Sequence, residues 1–401
     1  MAKKKDIQFG SVCVEPSRIS KKISPHTEPI YATTAYTFDS TADAIDLFGD
    51  QFKGYIYSRW GNPTIEMAEN KIAALETWGS DLQAKAQLFS SGMAAIAAAV
   101  TSCAIHGEKI VTQYQLYGTT DELFVRQLAA FGIETLRCNM HDLHALETLL
   151  KKEKKIRLIY IETPSNPMME VYDIGAIASL AKRYRIKLAV DNTFSSPFCQ
   201  RPLVLGADIS IHSATKYING HGTGLGGVVI GKDIDFMKKE VWTKVKLLGA
   251  NSNAFESWLM LQGMKTLELR MQRHCDNAKA VAAFLSKHNK IVCVHYCGSK
   301  DHPQHRIIKK QMTHYSGMLS FELKGGLKAG IRLMNKVKLC NMVTTLGTLD
   351  TLIQHPASMT HVNVPRERRL AAGISNGLVR LSVGIENVQD IINDLEQGLG
   401  K

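Results

Sequence analysis

Lys216 stands in the stretch Ser210-Ile-His-Ser-Ala-Thr-Lys-Tyr-Ile-Asn-Gly-His-Gly222, a lone lysine among hydroxyls, at the end of an apparent strand and just before glycines. One crossover and one strand upstream, Asp191 closes the run "KLAVD" and precedes "NTFSSPF". A carboxylate buried there is costly unless a cation or hydrogen bonds compensate. The pair suggests pyridoxal phosphate, with the lysine forming a Schiff base and the acid holding the pyridinium proton so that the ring stays an electron sink. A surface lysine beside an N-capping aspartate fits these two residues alone equally well.

A phosphate cradle tips that balance. "AQLFSSGMAAIAAAVTSC" (86–103) reads as an apolar strand, a small turn Ser90-Ser91-Gly92-Met93 and an alanine-rich helix. Exposed N–H groups at a helix start bind phosphate. Gly92 permits close backbone approach, and Ser213 and Thr215 beside the lysine supply hydroxyls; taken in isolation, Gly92 also fits a plain tight turn. The rival glycine motif "GHGTGLGG" (220–227) lacks the preceding strand and following helix of a dinucleotide fingerprint, and is read as turns beside the cofactor.

The elements that must position these residues alternate between helix and strand. "RLIYIE" (157–162), "KLAVD" (187–191) and "ADISIHS" (207–213) read as strands, and "DIGAIASLAKRYR" (173–185) as a helix starting at Asp173. "TTDELFVRQLAAFG" (119–132), apolar at Leu123, Phe124, Leu128 and Phe131, predicts a helix closed by Gly132 and followed by a strand, "IETLRC". That order predicts an α/β fold with parallel strands covered on both faces. Chemistry then gathers beyond their carboxyl ends, at Glu162, Asp191 and Ser213.

Residues 1–60, with Pro16, Pro25, Pro29 and "PIYATTAYTF", show little helical period and predict an extended arm. Residues 61–255 form the large domain. Residues 256–401, with a long helical pattern, the alternating "GMLSFEL" and a final helix capped by Asn387, predict a smaller α/β domain.

Composition excludes other classes. With 401 residues and 45% hydrophobic content the chain can bury a large core. It has no run of about 18 apolar residues and no apolar stretch after its initial lysines, so neither membrane spanning nor secretion is expected and the cytoplasm is the default. The net charge of +12 is spread over short runs (3–5, 151–155, 366–369), which read as solvated faces rather than a nucleic-acid surface. A positive field also suits an anionic cofactor or substrate. The eight cysteines include no CxxC pair and are expected to be reduced; "IVCVHYC" (291–297) reads as a strand with small apolar cysteines, so no metal is assigned.

Ordered motifs carry a wider resemblance: "YSRWGNPTIEMAENKIAALE" (57–76), "SSGMAAI" (90–96), "YGTT" (117–120), "ETPSNP" (162–167), "DNTFSSP" (191–197), "HSATKYINGHG" (212–222), "QHPASMTH" (354–361) and "GLVRLSVGIE" (377–386). From about residue 10 to its end the chain resembles the Cys/Met metabolism family of pyridoxal phosphate enzymes. The resemblance implies the fold-type I architecture of pyridoxal phosphate-dependent transferases, assembled as a homotetramer of two tight dimers with active sites at the dimer interface. By the family pattern Lys216 is the Schiff-base lysine, Asp191 the pyridinium partner and Tyr117 the aromatic over the ring, also placed to protonate a departing sulfur. Ser91, Gly92, Met93, Ser213 and Thr215 hold the phosphate, joined by Tyr57 and Arg59 of the neighbouring subunit. Asn166 lies near the ring oxygen and the substrate carboxylate, and Arg380, awkward to bury unpaired, binds that carboxylate together with Thr345.

The implied activity is carbon–sulfur bond cleavage in sulfur amino acids. Members specialised for cystathionine carry glutamates where this chain has Ile56 and Thr344, which grip a second ammonium poorly. This leans toward a methionine γ-lyase, giving 2-oxobutanoate, ammonia and a thiol. Thr119, where that branch has cysteine, and Thr345, where serine is usual, keep cystathionine γ- or β-lyase, O-acylhomoserine sulfhydrylase and cystathionine γ-synthase open.

Overall fold

The computed structural model describes residues 7–17, 25–363, 366–371 and 373–400; the lysines at 3–5 lie outside the described residues. A seven-stranded sheet contains β1 (Lys85–Phe89), β2 (Lys109–Thr112), β3 (Glu134–Arg137), β4 (Ile156–Glu162), β5 (Lys187–Asp191), β6 (Ile209–His212) and β7 (Gly227–Gly231), in the order β1-β7-β6-β5-β4-β2-β3. Every residue of β4 except Arg157 is buried, as a strand covered on both faces requires. Each such fully buried aliphatic side chain contributes about 1.5–3 kcal/mol of transfer free energy.

Helix Gly92–Cys103 packs Ala95, Ile96 and Ala99 against Ile110, Tyr160, Ala189 and Ile211 on one face. On the other face, helix Pro63–Glu76 covers Leu88 and Val228, and helix Ile174–Arg183 covers Ile159, Leu188 and Val190. The chain is thus an α/β protein with a mostly parallel central sheet, as its pattern predicts.

One strand departs from that pattern. β7 was not anticipated, and it runs antiparallel to both β6 and β1. After Lys216 the chain returns through Gly220 and Gly222, both at positive φ (71° and 68°), with no crossover helix, and a direct return of this kind gives an antiparallel neighbour. Because β1 and β6 both oppose β7, they point the same way, and the turn after β1 meets the turn after β6 at one edge. Gly227 lets them close, since a Cβ there would lie 2.1 Å from the Ser91 carbonyl oxygen.

The arm is less extended than expected. Helices Phe9–Val14 and Thr41–Gly49 fall within it, and Phe9, Val12 and Cys13 enter the core beside Met67, Leu75 and Phe198. The predicted helix at 119–132 winds as α-helix over Gly118–Glu122 and with wider π-type turns over Leu123–Leu128; Phe124 and Leu128 are buried, whereas Phe131 is exposed.

A second sheet has β8 (Ile291–His295), β9 (Met318–Leu323), β10 (Asn341–Met342), β11 (Leu352–Gln354) and β12 (Leu378–Ser382), in the order β10-β11-β12-β9-β8. The long helical pattern before it divides into helices Ala254–Lys265 and Leu267–Leu285. The first spans the sequence boundary at 255/256 and sets Met260, Leu261 and Met264 in the same core as Met67 and Leu88. Cys293 is exposed rather than packed, because the edge strand β8 shifts register between Ile291 and Cys293. Among the described residues no helix is long and apolar enough to cross a membrane, and no group of three or more His, Cys, Asp or Glu side chains is arranged to hold a metal ion.

Candidate active site

The carboxyl ends of β4, β5 and β6 open into a cavity of about 240 Å³. It gathers Ser91, Gly92, Met93, Tyr117, Asn166, Asp191, Ser213, Thr215, Lys216 and Arg380 from six separate motifs of the sequence. Tyr57 and Arg59 are not brought there. They border a neighbouring surface hollow near Asn62, and Arg59 donates to the Lys246 carbonyl oxygen.

At the phosphate end, the Ser91 side chain caps the helix by accepting from Ala94 N–H (3.1 Å), and its carbonyl accepts from Ala95 N–H. The N–H groups of Gly92 and Met93 therefore have no partner among the described residues and point a helix start toward the cavity. A Cβ on Gly92 would lie 2.7 Å from Ser213 Cβ and fill the cradle. The Ser213 N–H is held by Thr193 Oγ1 at 2.8 Å, leaving its hydroxyl free. The Thr215 hydroxyl is instead engaged by Gly226, donating to its carbonyl (3.1 Å) and accepting from its N–H (2.9 Å).

At the ring end, Asp191 Oδ1 accepts from the Thr193 N–H (2.9 Å) and hydroxyl (2.5 Å), while Oδ2 accepts from the Tyr160 hydroxyl at 3.4 Å. Burial pushes the Asp191 carboxyl above its ordinary range, against the two Thr193 donors that pull it back. No lysine or arginine forms an ion pair with it among the described residues. A cationic ring nitrogen is the group that this carboxylate lacks.

Lys216 Nζ donates to Thr345 Oγ1 at 2.6 Å, so Thr345 meets the lysine. Burial first, and then the charge of Arg380, lower the Lys216 ammonium from its ordinary 10.5 to about 8. The sign is clear: the neutral, nucleophilic amine is populated above about pH 8 instead of above about 10.4. In cofactor-free protein the rate at which Lys216 captures pyridoxal phosphate should therefore climb with pH and level off near pH 8, as read by stopped-flow absorbance. A rate still climbing at pH 10 would place the amine in open solvent.

Arg380 is buried on β12, donating to Asn166 Oδ1 (3.2 Å) and to the Thr345 carbonyl (2.9 Å). No carboxylate pairs with it among the described residues, and burial lowers it to about 10. A buried guanidinium with no carboxylate beside it suits the binding of a planar anion. Leu225, Thr344 and Leu346 also line the cavity. Among the described residues the lining carboxylates are Asp191 and Glu162, both beside the ring end; Glu162 closes β4 directly opposite Asp191 in register. Sequence reading noted Glu162 as a strand end and gave it no role. It also missed Thr193, whose signal was a hydroxyl two residues after a strand-ending aspartate.

The residues present fit pyridoxal 5'-phosphate on three counts: free N–H groups in a glycine cradle, a buried acid awaiting a cation and a desolvated lysine. The comparisons agree. Residues 11–400 match the family described as Cys/Met metabolism PLP-dependent enzyme. The chain is 45% identical over 400 residues, 98% of each chain, to an L-methionine gamma-lyase of Fusobacterium nucleatum subsp. polymorphum. It is 42% identical over 402 residues, 99% of each, to an L-methionine gamma-lyase of Porphyromonas gingivalis. A crystal structure of a putative O-acetylhomoserine (thiol)-lyase from Campylobacter jejuni, carrying N'-pyridoxyl-lysine-5'-monophosphate, superposes with a TM-score of 0.91 at 32% identity, covering 98% of this chain and 100% of that one.

Proposed function

The chain belongs to the Cys/Met metabolism PLP-dependent enzyme family, and from that premise we propose that it is a methionine γ-lyase, converting methionine and water to 2-oxobutanoate, ammonia and methanethiol. The observation that carries this reading is the lining of the cavity: Leu225, Thr344 and Leu346 suit a thioether methyl and offer no acid to a second ammonium. The relatives named L-methionine gamma-lyase support it.

When bound, pyridoxal 5'-phosphate supplies an electron sink for the bond broken at the substrate α-carbon. The protein groups do the rest. Lys216 would hold the cofactor's carbonyl carbon covalently, and Asp191 Oδ2 would keep the ring nitrogen protonated. Gly92 and Met93 N–H groups with the Ser213 hydroxyl would take the phosphate, with Ser91 shaping the turn and Thr215 bracing it through Gly226. Arg380, steadied by Asn166, would clamp the substrate carboxylate and orient the α-hydrogen toward Lys216 Nζ. As the free amine, populated above about pH 8 because burial lowers it, that nitrogen would accept the proton. Thr345 Oγ1 gives it a fixed resting place, and the Tyr117 hydroxyl would protonate the departing sulfur.

Among the described residues the cations lining the cavity are Lys216 and Arg380, and this reading gives both of them other roles. The proposal therefore includes a homotetramer in which Tyr57 and Arg59 of a second subunit complete the phosphate end. A second reading, sulfhydrylase activity on an O-acylated homoserine, is favoured by the Campylobacter jejuni protein named above. Methionine alone separates the two: release of 2-oxobutanoate and methanethiol is the expected result, whereas turnover only with O-acylhomoserine plus sulfide would overturn the lyase.

A further inference from the structure

We infer that Glu162 is a positioning residue, holding Tyr117 in place over the cofactor ring through one backbone hydrogen bond. The Tyr117 N–H donates to Glu162 Oε2 at 2.7 Å, and the Glu162 N–H donates in turn to Gln113 Oε1 at 2.8 Å. The Gln113 side chain then reaches forward, its Nε2 donating to the Gln115 carbonyl (2.5 Å), while Arg137 holds the Gln113 carbonyl (2.9 Å). Glu162 thus ties down both ends of the segment 113–117, which joins β2 to helix Gly118–Glu122. Among the described residues the Tyr117 side chain makes no hydrogen bond and 47% of the residue's surface is open, so its backbone anchors, the Glu162 bond and the bond from Asp121 N–H to its carbonyl (2.9 Å), set where its ring stands.

The cost of this arrangement shows that it is not incidental. Glu162 is buried and sits opposite Asp191 in register, where two carboxylates repel. Burial and then Asp191 push the Glu162 carboxyl up to about 8, so near neutral pH it is present mainly as the acid. Glu162 then serves through a neutral oxygen that accepts from the Tyr117 N–H. An amide oxygen would serve equally.

The inference rests on the reading of Tyr117 as the ring's stacking partner, and a double-mutant cycle tests the two apart. Cofactor dissociation constants and the visible circular dichroism of bound pyridoxal phosphate are measured for the wild type, Glu162→Leu, Tyr117→Ala and the double variant. Glu162→Leu should weaken cofactor binding about tenfold, and the double variant should be no weaker than Tyr117→Ala alone. Additive losses would overturn the positioning role. An unaltered affinity in Tyr117→Ala would instead sink the stacking assignment. Should Glu162→Leu fail to fold, Glu162→Gln decides: affinity and dichroism close to the wild type at pH 7 are expected, and a tenfold loss there would mean that charge, rather than the acceptor oxygen, is what the site requires.

Discussion

Lys216→Ala should abolish turnover of methionine, lowering kcat by about four orders of magnitude, the upper range for a lost proton-transfer group. The visible band of the bound cofactor near about 420 nm should vanish with it. The variant should fold, because among the described residues the Lys216 side chain makes a single hydrogen bond, to Thr345, and its desolvated ammonium is a burden on the fold rather than a support. The same variant tests the shared site. Arg59 does not line the Lys216 cavity of its own chain. Subunits carrying Lys216→Ala can therefore lend an intact Arg59 to subunits carrying Arg59→Ala. Each variant alone should be impaired, and unfolding and refolding them together should restore part of the activity. Retained colour and sulfur release in Lys216→Ala would sink the proposed chemistry, and no recovery on mixing would sink the shared site.

Asp191→Asn should lower kcat on the order of 10²–10³-fold, the range for removing one preorganised electrostatic group. The neutral amide cannot stabilise a protonated ring nitrogen. Stability should move the other way in cofactor-free protein. Burial raises the folded carboxyl's pKa above its unfolded value, so the folded state binds its proton more tightly and loses stability as pH rises from the unfolded toward the folded pKa. Above that window the charge is a standing cost, and asparagine removes it. A cofactor-free variant at pH 7 with a Tm at or above that of the wild type is the expected calorimetric result. A lower Tm with undiminished kcat would make Asp191 a structural residue.

Much of this site was legible because chemistry forced unusual residues into apolar surroundings. Asp191 and Lys216 stood out as charges at the ends of strands, and Gly92 as a glycine opening an alanine helix. The geometry confirms their neighbourhood, since one cavity holds all three. What stayed hidden was whatever local pattern does not encode. β7 is a short apolar run whose direction depends on the glycines before it, and periodicity carries no direction. The arm's proline spacing suggested extension, but Phe9, Val12 and Cys13 are buried against the helix Pro63–Glu76 and its neighbours, so tertiary contact overrode local preference. Glu162 was seen as a strand end, yet its partner is a backbone N–H of Tyr117, and sequence cannot show which amide a carboxyl will meet.

The placement of β7 has a further consequence for the order in which the chain is built. β1 is an edge strand whose ladder is with β7 alone, so Lys85–Phe89 must wait for Gly227–Gly231 to leave the ribosome before it gains a neighbour. Closing so long a loop is entropically slow, and it falls late in folding. The β2–β5 ladders can zip up earlier from segments nearer in sequence. The nascent protein would then own its acids before it owns its anion cradle, and vitamin capture would mark the end of maturation.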